Sequence, residues 1–202
     1  KSAYTAQGNV FLGTASGYNI TTGDDNVFIG TSAGVANTSG LNNVFIGNEA
    51  GNTNSTNSYN SFLGYRSGRT TTGAQNVYYG AYSGANTSTG TRNAYFGYQA
   101  GVSAGSGSYN TYLGSFAGGS ASGDYNVFLG YAAGQNESGS QKLYIDNSNT
   151  AAPLIYGDFS TGNEEVRING DFTFNAGLNS VRMPTWRGND GDVLLSNGAG
   201  FT

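Results

Sequence analysis

Five residues, Asn26-Val27-Phe28-Ile29-Gly30, recur nearly unchanged down two thirds of a chain of 202 residues. Copies open at Asn9, Asn26, Asn43, Asn60, Asn76, Asn93, Asn110 and Asn126, in steps of 17, 17, 17, 16, 17, 17 and 16 residues. A period this regular, near 20 residues, marks a stacked repeat architecture. It outranks local propensity, because a unit this short buries its apolar face only by stacking on its neighbours.

Counting each copy from its Asn as position 1, the columns are strict. Position 3 is always aromatic: Phe11, Phe28, Phe45, Phe62, Tyr78, Tyr95, Tyr112 and Phe128. Position 4 is always large and apolar, from Leu12 to Leu129. Position 5 is Gly from Gly13 to Gly130, position 8 only Ser or Ala, and position 9 Gly from Gly17 to Gly134. Positions 2 to 4 have strand chemistry. The glycine at position 5 ends the strand and the one at position 9 marks a second bend. With Ser or Ala before it, position 9 leaves no room for bulk, so a neighbouring backbone is expected to pass there. The spacer that follows is rich in Asn, Thr, Ser and Gly and absorbs the one-residue deletions. Each copy therefore reads as one rung of an all-β, parallel β-solenoid (β-roll) with a 16–17-residue period.

In such a coil the same position of successive rungs recurs about every 4.8 Å. At that spacing the eight asparagines of position 1 (Asn9, Asn26, Asn43, Asn60, Asn76, Asn93, Asn110, Asn126) can bond up and down as a ladder. Positions 3 and 4 point to opposite faces of the strand, and both are apolar. One face fills the chain's own coil. The other would leave an aromatic stripe larger than soluble monomers usually expose, so sister chains are expected to cover it, with position 3 as the oligomer interface or core.

The run Asn-Val-Phe-Ile-Gly-Thr-Ser-Ala-Gly, residues 26–34, resembles the head repeat of trimeric autotransporter adhesins. It is also similar to repeats of phage-tail-like fibres and of large surface proteins of Bacteroidetes. Those adhesin heads are left-handed parallel β-rolls of three chains, so the resemblance implies a homotrimeric fibre at a cell surface or on a particle. This chain departs from that pattern in its aromatic position 3 and its longer period.

Lys142-Leu143-Tyr144-Ile145-Asp146 fits the strand columns as an atypical last rung, capping an open edge, so residues 1–146 form the repeat region. Residues 147–175 carry a hairpin signal around Ser160-Thr161-Gly162-Asn163. Residues 176–202 read as a neck or connector to a C-terminal part, and Lys1, not an initiator Met, fits a segment of a longer protein.

Composition narrows the function. With 15 Tyr and 11 Phe the chain is too aromatic for a disordered one. A net charge of −4 disfavours nucleic-acid and anionic-membrane partners, and no apolar span suits membrane insertion. The chain has no Cys and no His, which removes thiol chemistry, the Ser-His-Asp triad and His-based metal sites. The acid pairs Asp24-Asp25 and Glu164-Glu165 lie beside turns and read as solvated. No enzyme activity, cofactor or metal is expected. Binding, if present, falls on Tyr65, Tyr82, Tyr98, Tyr131 and Arg66 at positions 6 and 7. These residue types suit surface glycans or cell-surface receptors as well as packing between chains. The expected function is a structural segment of an extracellular fibre or adhesin, with carbohydrate or receptor binding as the alternative.

Overall fold

A computed structural model describes residues 5–170; the reading of 176–202 as a neck lies outside them, as does the end of the 147–175 segment. The chain is a β-solenoid. Eight three-residue strands repeat along it: β1 (Val10–Leu12), β2 (Val27–Ile29), β3 (Val44–Ile46), β4 (Ser61–Leu63), β5 (Val77–Tyr79), β6 (Ala94–Phe96), β7 (Thr111–Leu113) and β8 (Val127–Leu129). Each pairs in parallel with the next, and identical repeat positions are partners: Phe28 lies beside Phe45 and Phe45 beside Phe62. A ninth strand, β9 (Lys142–Ile145), continues the stack with Tyr144 beside Phe128. The chain then reverses. β10 (Ile155–Asp158) runs antiparallel to β9, and β11 (Glu165–Ile168) antiparallel to β10. One 11-stranded sheet results, in strict sequence order.

Inside the coil stands a column of rings. Phe28, Phe45, Phe62, Tyr78, Tyr95, Tyr112 and Phe128 are all 0% exposed. Adjacent centroids from Phe28 to Phe128 lie 4.6–4.9 Å apart with planes within 9°. That spacing is the rise of the sheet and exceeds the contact distance of two carbon surfaces, so the rings slip into the offset stack that aromatic pairs favour. Burying each ring contributes about 2–3 kcal/mol, and each stacked pair about 1 more.

The faces are thus assigned opposite to the expected aromatic stripe. Position 3 points inward, and only Phe11, on the open first rung, is exposed at 38%. The outward apolar stripe belongs to positions 2 and 4. The reason lies at position 9. Every glycine there has φ near +58°, and a Cβ would strike the ring of its own rung; at Gly51 it would lie 2.5 Å from Phe45. The coil closes directly over the position-3 ring, which fits only against a bare backbone. Neighbouring backbone instead crosses at position 5, where a Cβ on Gly47 would stand 2.3 Å from the carbonyl oxygen of Gly64.

The asparagines form a ladder that also closes each rung. The backbone N–H of Asn43 donates to Oδ1 of Asn26 (2.9 Å), and Nδ2 of Asn43 donates to the same oxygen (3.1 Å). That Nδ2 also donates to the carbonyl of Asn57, at the far end of its own rung (2.9 Å). The backbone-to-Oδ1 bond recurs from Asn26 onto Asn9 through to Asn126 onto Asn110. Lys142 ends the series by donating its N–H to Asn126. A carboxamide is the one side chain that serves both directions here, accepting from the next rung and donating across its own.

A second inner column, at position 12, completes the filling. It reads Asn37, Asn54, Thr71, Thr87, Ala104 and Ala121 through rungs 2–7, all at most 1% exposed. Ring size and partner size trade off. The phenylalanine rungs carry Asn37, Asn54 and Thr71, whereas the tyrosine rungs carry Thr87, Ala104 and Ala121. The added hydroxyl takes the volume that the smaller partner gives up, as close packing requires.

Candidate functional site

The fifth to seventh residues of each rung turn the corner that leaves the strand. Position 7 adopts left-handed backbone in every rung, from Ala15 (φ 55°) to Ala132 (φ 54°), and only glycines escape a cost there. Five of these corners carry aromatics in alternation: Tyr65 at position 6, Tyr82 at position 7, Tyr98 at 6, Phe116 at 7 and Tyr131 at 6. The backbone stacks these corners in register, so the rings form one ridge along the rod. Each meets the next edge to face. Centroids lie 5.2, 6.3, 5.5 and 5.8 Å apart and planes 86°, 88°, 79° and 75° from parallel. Tyr65, Tyr98 and Tyr131 protrude, at 41%, 46% and 55% exposure. Tyr82 and Phe116 sit half-buried between them.

All five sequence-nominated binding residues meet on this ridge. The Arg66 guanidinium lies 5.0 Å from the Tyr65 ring centroid. Its Nε donates to Oε2 of Glu49 (2.9 Å), and Nε of Arg69 donates to the same oxygen (2.9 Å). The hydrogen bond from Arg66 holds the Glu49 carboxyl below the usual carboxylate range, and Glu49 in turn raises Arg66. Two cations share one anion, so this end of the ridge is cationic within an acidic chain. The stretch from Tyr82 to Tyr131 bears no charged side chain at positions 6 or 7. Gln99 Nε2 donates to the Tyr98 hydroxyl (2.9 Å).

A second aromatic group escaped the sequence reading. The residue before each Asn is also left-handed, and at the opposite end of the strand it places Tyr109 on Tyr125, stacked 4.7 Å apart. Arg92 covers the other face of Tyr109, with its guanidinium carbon 5.2 Å from the centroid. Only the repeat numbering could have flagged this pair, and the column is too mixed to stand out.

The acid pairs are structural. Asp24 accepts the backbone N–H of Gln7, and Asp25 turns a corner at φ 56°. Glu164 accepts the N–H of Gly162, and Glu165 pairs with Arg167. Among the described residues no group of three or more acids could hold a metal, and no helix is long and apolar enough to cross a membrane. Asn-X-Ser/Thr triplets start at Asn19, Asn37, Asn54, Asn86 and Asn136; of these, Asn37 and Asn54 are fully buried in the inner column and closed to a glycan.

Comparison with known proteins returned no matching family model, no similar curated protein and no similar solved structure.

Proposed function

We propose that this chain is a structural segment of an extracellular fibre or adhesin, assembled from parallel copies of itself. The observation that carries this reading is the outward stripe of positions 2 and 4. It runs from Val10 and Leu12 through Val44, Tyr79 and Phe96 to Leu113 and Leu129, all between 36% and 65% exposed. Tyr79 and Phe96 already stack across rungs (5.7 Å). Eight rungs make the stripe roughly 38 Å long by about 10 Å wide. A footprint of about 400 Å² falls short of the ~800 Å² per partner of a standard interface, so an assembly would also recruit a flanking corner. The likeness of residues 26–34 to trimeric adhesin heads favours three chains.

Sedimentation velocity tests this directly. Wild-type protein at micromolar concentration is expected to sediment as an oligomer. Ile46→Asp, on the outward face, should yield folded monomers, whereas Phe45→Asp, inside the coil, should unfold the rod. A stable wild-type monomer would overturn the assembly.

A second reading, favoured by the aromatic ridge, is a module that binds surface carbohydrate or a receptor through Tyr65, Tyr82, Tyr98 and Tyr131.

A further inference from the structure

The protruding tyrosines of the ridge are spaced by a rule. Tyr65, Tyr98 and Tyr131 are each 33 residues apart, which is two rungs. Two rungs advance about 9.6 Å along the rod at the spacing of a parallel stack. The intervening position-6 residues, Ala81 and Ser115, are small. Tyr82 and Phe116 fill those gaps from position 7 and stand edge-on to their neighbours, which fixes the orientation of the protruding rings. The result is a row of three braced aromatics with a two-rung repeat, of which Tyr98 and Tyr131 stand on the uncharged stretch and Tyr65, under the Arg66 guanidinium, ends the row.

We propose that this ridge binds an extended, uncharged β-1,4-linked polysaccharide lying along the rod axis. In such a chain each sugar is flipped relative to the one before. The disaccharide is therefore the repeating unit, and alternate sugars present the same C–H-rich face to one side. The length of that disaccharide closely matches two rungs, so successive platforms meet equivalent sugars. An α-1,4-linked chain coils and loses that match. The charge pattern agrees. From Tyr82 to Tyr131 the ridge offers rings, small residues and the Gln99 amide but no charge, which suits a neutral polyhydroxyl ligand. Amide and phenol groups there can meet sugar hydroxyls while C–H faces lie on the rings. This inference rests on the second reading above and names its ligand class.

Binding of the intact chain to cellulose and chitin powders, and to their soluble hexasaccharides by calorimetry, tests it. Maltohexaose serves as the α-linked control. The expected result is retention on one or both powders, a hexasaccharide affinity at least tenfold above that for maltohexaose, and a loss of tenfold or more in Tyr98→Ala. Tyr109→Ala, on the other corner, should bind normally. Tyr98 is half exposed, so its removal leaves the coil intact, which the far-ultraviolet spectrum verifies. Absence of binding to both β-linked polymers, or unchanged binding by Tyr98→Ala, overturns the proposal. Binding of α-linked or branched glycans that Tyr98→Ala abolishes also overturns the β-1,4 class, yet leaves the ridge as a carbohydrate site.

Discussion

Single atoms decide much in a core this narrow. The hydroxyls of Tyr78, Tyr95 and Tyr112 are buried with no hydrogen-bond partner among the described residues. A buried unpaired hydroxyl costs about 1–3 kcal/mol. Burial also pushes these phenols up, Tyr78 to about 12 and Tyr95 and Tyr112 in the same direction. A group with a raised folded-state value gives stability that is complete below its unfolded value, near 10, and is lost as pH climbs through the folded one. The rod should therefore hold its stability to about pH 10 and weaken steeply by pH 12. The triple variant Tyr78→Phe/Tyr95→Phe/Tyr112→Phe is expected to be more stable at neutral pH, by about 1 kcal/mol per site, and to resist alkali better. Urea titrations at pH 7, 10 and 11.5 measure both effects.

The rung is the element that repeats, and its weak point is the asparagine. Removing Asn76 takes away the acceptor for the backbone N–H of Asn93 (2.9 Å) and for its Nδ2 (3.2 Å). It also deletes the bond that closes its own rung onto the Gly90 carbonyl (2.9 Å). Asn76→Ala should cost about 2–4 kcal/mol, since a buried donor is left unpaired. Amide exchange should accelerate first at Asn93 and its neighbours rather than along the whole rod. A uniform rise in exchange would contradict a ladder of local links. The same element shows what was legible beforehand. The period, the asparagine column and the strand positions were plain, because identical side chains must sit above one another in a stack. Which face held the rings was not. Positions 3 and 4 are both large and apolar, so hydrophobicity cannot rank them. The deciding residue is the position-9 glycine, whose missing Cβ makes room for a ring of its own rung. The inner column at position 12 was hidden for another reason. Asn37, Thr87 and Ala121 share no chemistry, only a volume complementary to the ring beside them. The aromatic ridge was legible as residue types, but its alternation between positions 6 and 7 had meaning only once the corners were stacked.

Among the described residues, each strand contacts only the one before and the one after. Stability then accumulates as a sum of rung and interface terms rather than as one global core. The two ends differ. Within the described residues Phe11 of the first rung is 38% exposed, whereas β9 is followed by the antiparallel strands β10 and β11. There Lys142 and Asp158, directly opposite across the strands, form an ion pair. Hydrogen bonds from Lys142 and Ser160 hold Asp158 down at about 2. Glu137 continues the position-12 column and accepts the Tyr144 hydroxyl.

Strict nearest-neighbour stacking has a mechanical meaning. Pulled from opposite ends, such a coil is expected to yield one turn at a time, because every turn carries the same tension but the outermost is held by one neighbour rather than two. Each turn released pays out 16 or 17 residues of slack, about 55–60 Å of contour. Stretched singly in an optical trap, the protein should lengthen in a staircase of near-equal steps of that size at a roughly level force. A single rupture of the whole rod would contradict this. In the fibre segment proposed above, a coil that yields stepwise under load and rewinds when load falls would survive gusts of force that would snap a rigid link.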